Sequence, residues 1–95
     1  MMFTFEFSQE KSLLLKETRG ISFEDVIDEL EKGNIIDDLK HYNHKKYPNQ
    51  RILVVKIKRN IYAVPYVIDQ KRNVIFLKTI YPSRVLKQKY FRKEK

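Results

Sequence analysis

Three apolar-alternating segments in the second half of the chain, residues 52–58, 61–68 and 74–81, constrain the fold most. Each has the period-two pattern of a strand, and the connections between them are two and five residues long. A parallel crossover needs a dozen or more residues, so segments joined this closely must pair as an antiparallel meander. Pro65 lies in the middle segment and has no amide donor, which predicts an edge or a bulge at that point. Alternation puts Leu53, Val55 and Ile57 on one face of the first strand and Ile52, Val54, Lys56 and Lys58 on the other. In the third strand Ile75, Leu77 and Thr79 oppose Val74, Phe76, Lys78 and Ile80. One face is fully apolar and calls for helices. The opposite face turns basic at one end and reads as a partly open groove.

The residues before the meander supply those helices. Phe3, Phe5 and Phe7 alternate with polar neighbours as a short edge strand. Ser8 caps a first helix that Gly20 ends, with the triplet Leu13-Leu14-Leu15 on its buried side. Ser22-Phe23-Glu24-Asp25 is a capping box with Asp in place of Glu, and Ile21 can staple onto Val26. Phe23, Val26, Ile27 and Leu30 then follow at helical spacing, and Gly33 with Asn34 closes the second helix. Ile35, Ile36 and Leu39 form a short apolar segment, and residues 40–50 read as a long exposed loop. After Pro82, Ser83 caps a basic terminal helix that turns Val85, Leu86 and Tyr90 toward the protein. The expectation is one α+β domain over residues 1–95: an N-terminal strand and two helices on an antiparallel sheet (the three-stranded meander plus an edge strand), with a C-terminal basic helix.

Charge divides the chain. Up to Asp38 there are four Lys or Arg against ten Asp or Glu, and from Leu39 onward sixteen against two. A field of one sign steers a partner of the other, so the basic part asks for phosphates, RNA above all. With no cysteine, thiolate metal sites, disulfides and a cysteine nucleophile are excluded. The only glycines, Gly20 and Gly33, are spent on helix ends, so no nucleotide-binding glycine loop is possible. The first residues lack a basic and then apolar leader, and no apolar run is long enough to cross a membrane, so a cytoplasmic protein with no membrane partner is expected.

Two groups of residues can carry chemistry. Lys78, Tyr81, Ser83, Arg84 and Lys87 gather where the last strand gives way to its helix; Arg84 can hold a phosphate bidentately and Lys78 can stabilise developing charge. The loop from His41 to Tyr47 interleaves His41, His44, Lys45 and Lys46 with two tyrosines, which suits proton transfer and stacking on single-stranded RNA. Arg51, Lys56 and Lys58 extend the basic surface along the first meander strand. His41 and His44 behind Asp37-Asp38 have the outline of a metal site, but the adjacent lysines repel a cation, so neither a metal nor another cofactor is expected.

The two ends of the chain also resemble a known family. Phe5-Glu6-Phe7-Ser8-Gln9-Glu10-Lys11, then Arg19-Gly20-Ile21-Ser22-Phe23-Glu24-Asp25-Val26, and the stretch from Lys78 through Ser83, Arg84 and Lys87 to Tyr90, are similar in order to the BrnT-like toxins of type II toxin-antitoxin modules, which have a RelE-like fold. Phe7 stands where that family usually has Trp, Ser8 where it has Asp, and Ile80-Tyr81 where it has an Arg-Lys pair, with Lys78 two residues earlier as the available cation. The resemblance implies a metal-independent ribonuclease, neutralised by a cognate antitoxin, with Lys78, Arg84, Tyr81, His41 and His44 as catalytic candidates. Lys45, Lys46, Arg51, Lys56, Lys58, Ser83 and Lys87 are then the RNA-binding set. A homodimer and a toxin-antitoxin hetero-oligomer are both open. So are two other functions, a non-catalytic nucleic-acid-binding module and an interaction subunit for an acidic protein.

Overall fold

A computed structural model describes residues 3–40 and 43–92. The elements run β1 (Thr4–Glu6), α1 (Gln9–Arg19), α2 (Phe23–Glu31), β2 (Ile35–Lys40), β3 (Gln50–Ile57), β4 (Asn60–Asp69), β5 (Val74–Leu77), β6 (Tyr81–Pro82) and α3 (Arg84–Arg92). The chain is α+β, and its strands form one mixed sheet in the order β1-β5-β4-β3-β2, with β6 pairing to β4. The meander is antiparallel as the short connections require, and Lys58 takes a φ of 59° in the two-residue turn between Ile57 and its partner Asn60. β1 joins the far side of the meander parallel to β5. The apolar segment after α2 is a full strand, β2, paired antiparallel to β3 as the opposite edge. Its bulge between Ile35 and Asp37 and its charged Asp37, Asp38 and Lys40 blunt that edge against further pairing.

α1 and α2 cover one face of the sheet, here called the near face. Phe23 and Val26 are fully buried there with Leu15, Ile21, Leu53, Val55, Val64, Tyr66, Leu77 and Ile80. The capping box forms in both directions: the Asp25 amide donates to Ser22 Oγ at 3.2 Å and the Ser22 amide to Asp25 Oδ2 at 2.9 Å. Burial by itself would raise the Asp25 carboxyl, but the Ser22 amide, Lys16 and the Ser22 hydroxyl together hold it below its ordinary value. α1 departs from the expectation drawn from its leucines. Only Leu15 of the triplet is buried, while Leu13 and Leu14 are 68% and 57% exposed. The residue that turns inward with Leu15 is Ser12, three positions earlier on the same helical stripe. Its hydroxyl accepts from the Phe23 amide at 3.0 Å and donates to Glu24 Oε1 at 2.6 Å, so α1 satisfies a free amide at the start of α2.

The other face, the far face, is covered in part by α3. Ser83 caps that helix, its hydroxyl accepting from the Leu86 amide, and the Ser83 amide donates to the Ile61 carbonyl of β4. At the other end the Tyr90 hydroxyl donates to Asp37 on β2. Lying between these two anchors, α3 closes over Val54, Ile61 and Ala63, which are buried although they point away from α1 and α2. The remainder of the far face is open: Ile52, Pro65 and Val67 are half-buried, and Phe76 and Tyr81 are 40% and 38% exposed.

Candidate nucleic-acid interface

The site begins with Pro65. In an antiparallel strand the N–H and C=O of one residue point to the same neighbour. The Pro65 carbonyl accepts from the Lys78 amide at 2.9 Å, so the donor that proline lacks would also have faced the β5 side. The ladder stops there. β4 pairs Tyr66 with Leu77, and after the gap it pairs Ala63 with Tyr81, so one extra residue sits on the β5-β6 side.

That extra residue changes which side chains share a face. Regular alternation over residues 74–81 would put Lys78 and Ile80 together and Tyr81 opposite them. The bulge instead sends Ile80 into the near-face core, fully buried, where its carbonyl accepts from Arg19. Lys78 and Tyr81 come out together on the far face. Ile80 is thus a core residue: Lys78 keeps the face expected for it, with Phe76, and it is the expected placement of Ile80 beside Lys78, with Tyr81 opposite, that the one-residue slip corrects.

Lys78 and Tyr81 line one cleft of about 300 Å³ with Thr79, Gln50 at the start of β3, and Lys11 from α1. Its floor is Ile52 and Pro65. β1 ends at Glu6, opposite Phe76, which leaves the sheet edge beyond Phe76 unpaired and lets Lys11 reach the cleft around it. Among the described residues, no hydrogen bond or ion pair engages the side chain of Lys11, Gln50, Lys78, Thr79 or Tyr81. The cations of the near side differ in this respect: Lys16 pairs with Asp25, Lys32 with Asp28, and Arg51 with Asp38.

The other expected residues disperse. Arg84 is exposed in the first turn of α3, near Tyr81 in sequence but outside the cleft lining. The Ser83 hydroxyl is committed to capping, and Lys87 Nζ donates to Asn60 Oδ1 at 3.3 Å. Arg51 points to the near face, where its Nε meets Asp38 Oδ1 at 3.1 Å and the Tyr66 hydroxyl donates to the same carboxylate at 2.8 Å. Burial first, and Asp38 second, push the Tyr66 phenol up to about 12. Lys56 is half-buried on the far face, and Lys58 lies in the hairpin turn beside Asp25, Asp28 and Glu29. His44 and Lys45 are exposed in the loop and do not line the cleft, while Lys46 sits 5.4 Å from the centre of the Tyr47 ring. His41 lies outside the described residues.

Sequence reasoning missed Lys11, Gln50 and Thr79. Lys11 looks like ordinary surface of a helix, and Gln50 like the end of a loop; only the strand register brings them beside Lys78. Among the described residues no group of three His, Asp or Glu side chains is placed to hold a metal ion, and no helix is long and apolar enough to cross a membrane. Comparison with protein-family models, with curated proteins and with solved structures finds no match to this chain.

Proposed function

We propose that the protein is a ribonuclease toxin of the kind the resemblance to BrnT-like proteins implies, binding single-stranded RNA on the open part of the far face and cutting it there. The observation that carries this reading is the meeting of an unengaged ammonium, Lys78, and an unengaged phenol, Tyr81, in one cleft over an apolar floor. Cleavage of RNA without a metal needs the 2′-oxygen to attack the adjacent phosphorus while the 5′-oxygen leaves with a proton. Lys78 binds the non-bridging oxygens as their charge grows, and Tyr81 takes part in the proton transfer. Arg84, exposed at the start of α3, holds a neighbouring phosphate. A cognate antitoxin neutralises the protein by occupying this cleft.

The test is incubation of the purified protein with single-stranded RNA in the presence of a chelator, with the products analysed for 2′,3′-cyclic phosphate and 5′-hydroxyl ends. Those ends are expected from the unaltered protein and not from Lys78→Ala. RNA that is bound but stays intact would overturn the cleavage reading. It would also favour the second reading, a non-catalytic RNA-binding module, for which there is a specific observation: His44 does not line the cleft that holds Lys78.

A further inference from the structure

We infer that the cleft is a seat for one unpaired nucleotide, in which Lys11 and Lys78 hold the phosphates on its two sides and Gln50 reads the edge of its base. The inference rests on the RNA-binding reading above and adds what that reading lacks, the form of RNA accepted and the residues that select it.

Charge gives the first step. Lys11 comes from α1 and Lys78 from the end of β5, and no carboxylate lines the cleft they share. Two lysines brought to one small cleft repel each other, and among its lining residues there is no carboxylate to offset that repulsion. A bound anion on each would. The two lysines enter the cleft from different elements, α1 and the end of β5, so each can meet a different phosphate of one backbone.

Shape gives the second. A volume of about 300 Å³ is at the lower end of ligand pockets, enough for a single nucleotide and too small for a helical segment of RNA. The cleft is lined by the apolar Ile52 and Pro65 and by Tyr81, whose ring offers a face on which a base can stack. A base can reach that floor only when it is unpaired and turned out of its stack.

Gln50 gives the third. A phosphate calls only for donors, yet Gln50 offers a carbonyl as well as an amide NH₂, and both are unengaged. Base edges present donors and acceptors side by side, so the amide has a use there that it does not have on the backbone.

The experiment uses short RNA carrying 2′-O-methyl groups, which removes the attacking oxygen and separates binding from cleavage. The unaltered protein is expected to bind the single strand at least about tenfold more tightly than the matching duplex. Lys11→Ala should weaken the single-strand complex about tenfold and lower the slope of log affinity against log salt by about 0.7, the value for one phosphate contact on a single strand. Lys11→Arg should restore the slope, which a merely structural role would not predict. Gln50→Ala should reduce any spread in affinity among oligo-A, oligo-C and oligo-U to about twofold or less. Single-strand binding with an unchanged slope in Lys11→Ala, or equal affinity for duplex, overturns the nucleotide seat while leaving RNA binding intact. Failure of the unaltered protein to bind either form overturns both.

Discussion

On the near face of the sheet polar side chains are spent on one another. Ser12 joins α1 to α2 through Glu24 and the Phe23 amide, Asp38 gathers Arg51 and Tyr66, and Asp25 closes the capping box while pairing with Lys16. Among the described residues no buried side-chain nitrogen or oxygen lacks a partner. On the open part of the far face Lys78, Tyr81 and Gln50 are left without one, although the same strands carry them. A group that is satisfied inside the protein contributes to folding and has little left for a ligand. A group left unsatisfied adds nothing to stability and is free to bind. The two faces therefore divide the work of one small sheet, and each variant should disturb one property or the other.

The largest effects test that division directly. Phe23 is fully buried, with its ring centre 5.2 Å from that of Phe7, and Phe23→Ala should cost about 3–5 kcal/mol. Set against a total stability of about 5–15 kcal/mol, that is a large fraction, read as a fall in the urea midpoint. Lys78→Ala should leave unfolding within about 0.5 kcal/mol, because an exposed and unpaired lysine takes no part in folding. RNA cleavage by the same variant should drop about a hundredfold to a thousandfold, the usual loss of one group that stabilises developing charge. If Lys78→Ala melted as early as Phe23→Ala, the separation of the faces would be gone.

Much of this fold is written in local pattern. The Ser22-Asp25 box depends on four consecutive residues, and the meander on connections too short for any other pairing. β2 is less legible, because Asp37 and Asp38 interrupt its apolar character; they are placed on opposite faces, one toward Tyr90 and one toward Tyr66, by partners that are distant in sequence. Ser12 and the leucines beside it could not be sorted without knowing where α2 starts. Pro65 announced an irregularity, but a missing amide says only that a ladder stops. That the neighbouring strand gains a residue, sends Ile80 inward and brings Tyr81 round to Lys78 follows from the register of both strands together. The site is hard to see in the sequence for that reason: its members are 11, 50, 65, 78 and 81, and no local period links them.

A smaller effect belongs to the near side alone. The Asp25 carboxyl is held below its ordinary value in the folded protein, so its contribution to stability is present above the unfolded value of about 3.9 and is lost as pH falls through the folded one. Asp25→Asn should cost about 0.5–1 kcal/mol at neutral pH and should flatten the decline in stability on the acid side, measured by urea unfolding from about pH 5 to about pH 2. Cleavage at neutral pH should be unchanged. A loss of cleavage in this folded variant would mean that the start of α2 reaches the far face in some way the contacts do not express.

The finest test uses two tyrosines that sit on opposite sides of β2. Both phenols are pushed up to about 12, but for different reasons. For Tyr66 burial is the larger cause and Asp38 adds to it; for Tyr90 the hydrogen bond to Asp37 comes first, and burial is secondary. A raised phenol favours the neutral form in the folded state, so the stabilisation is present below about pH 10 and is lost as pH rises toward the folded value. Ultraviolet titration should therefore find Tyr66 and Tyr90 ionising late. Asp37→Asn should bring Tyr90 back toward its ordinary value and leave Tyr66 where it is. Asp38→Asn should lower Tyr66 only in part, since its burial remains. Because Tyr90 ties α3 to the edge strand, Asp37→Asn should also speed amide exchange along α3 without speeding it in α1 or α2. If Tyr66 moved together with Tyr90, the two faces would be coupled through β2, and the cleft would no longer be independent of the core behind it.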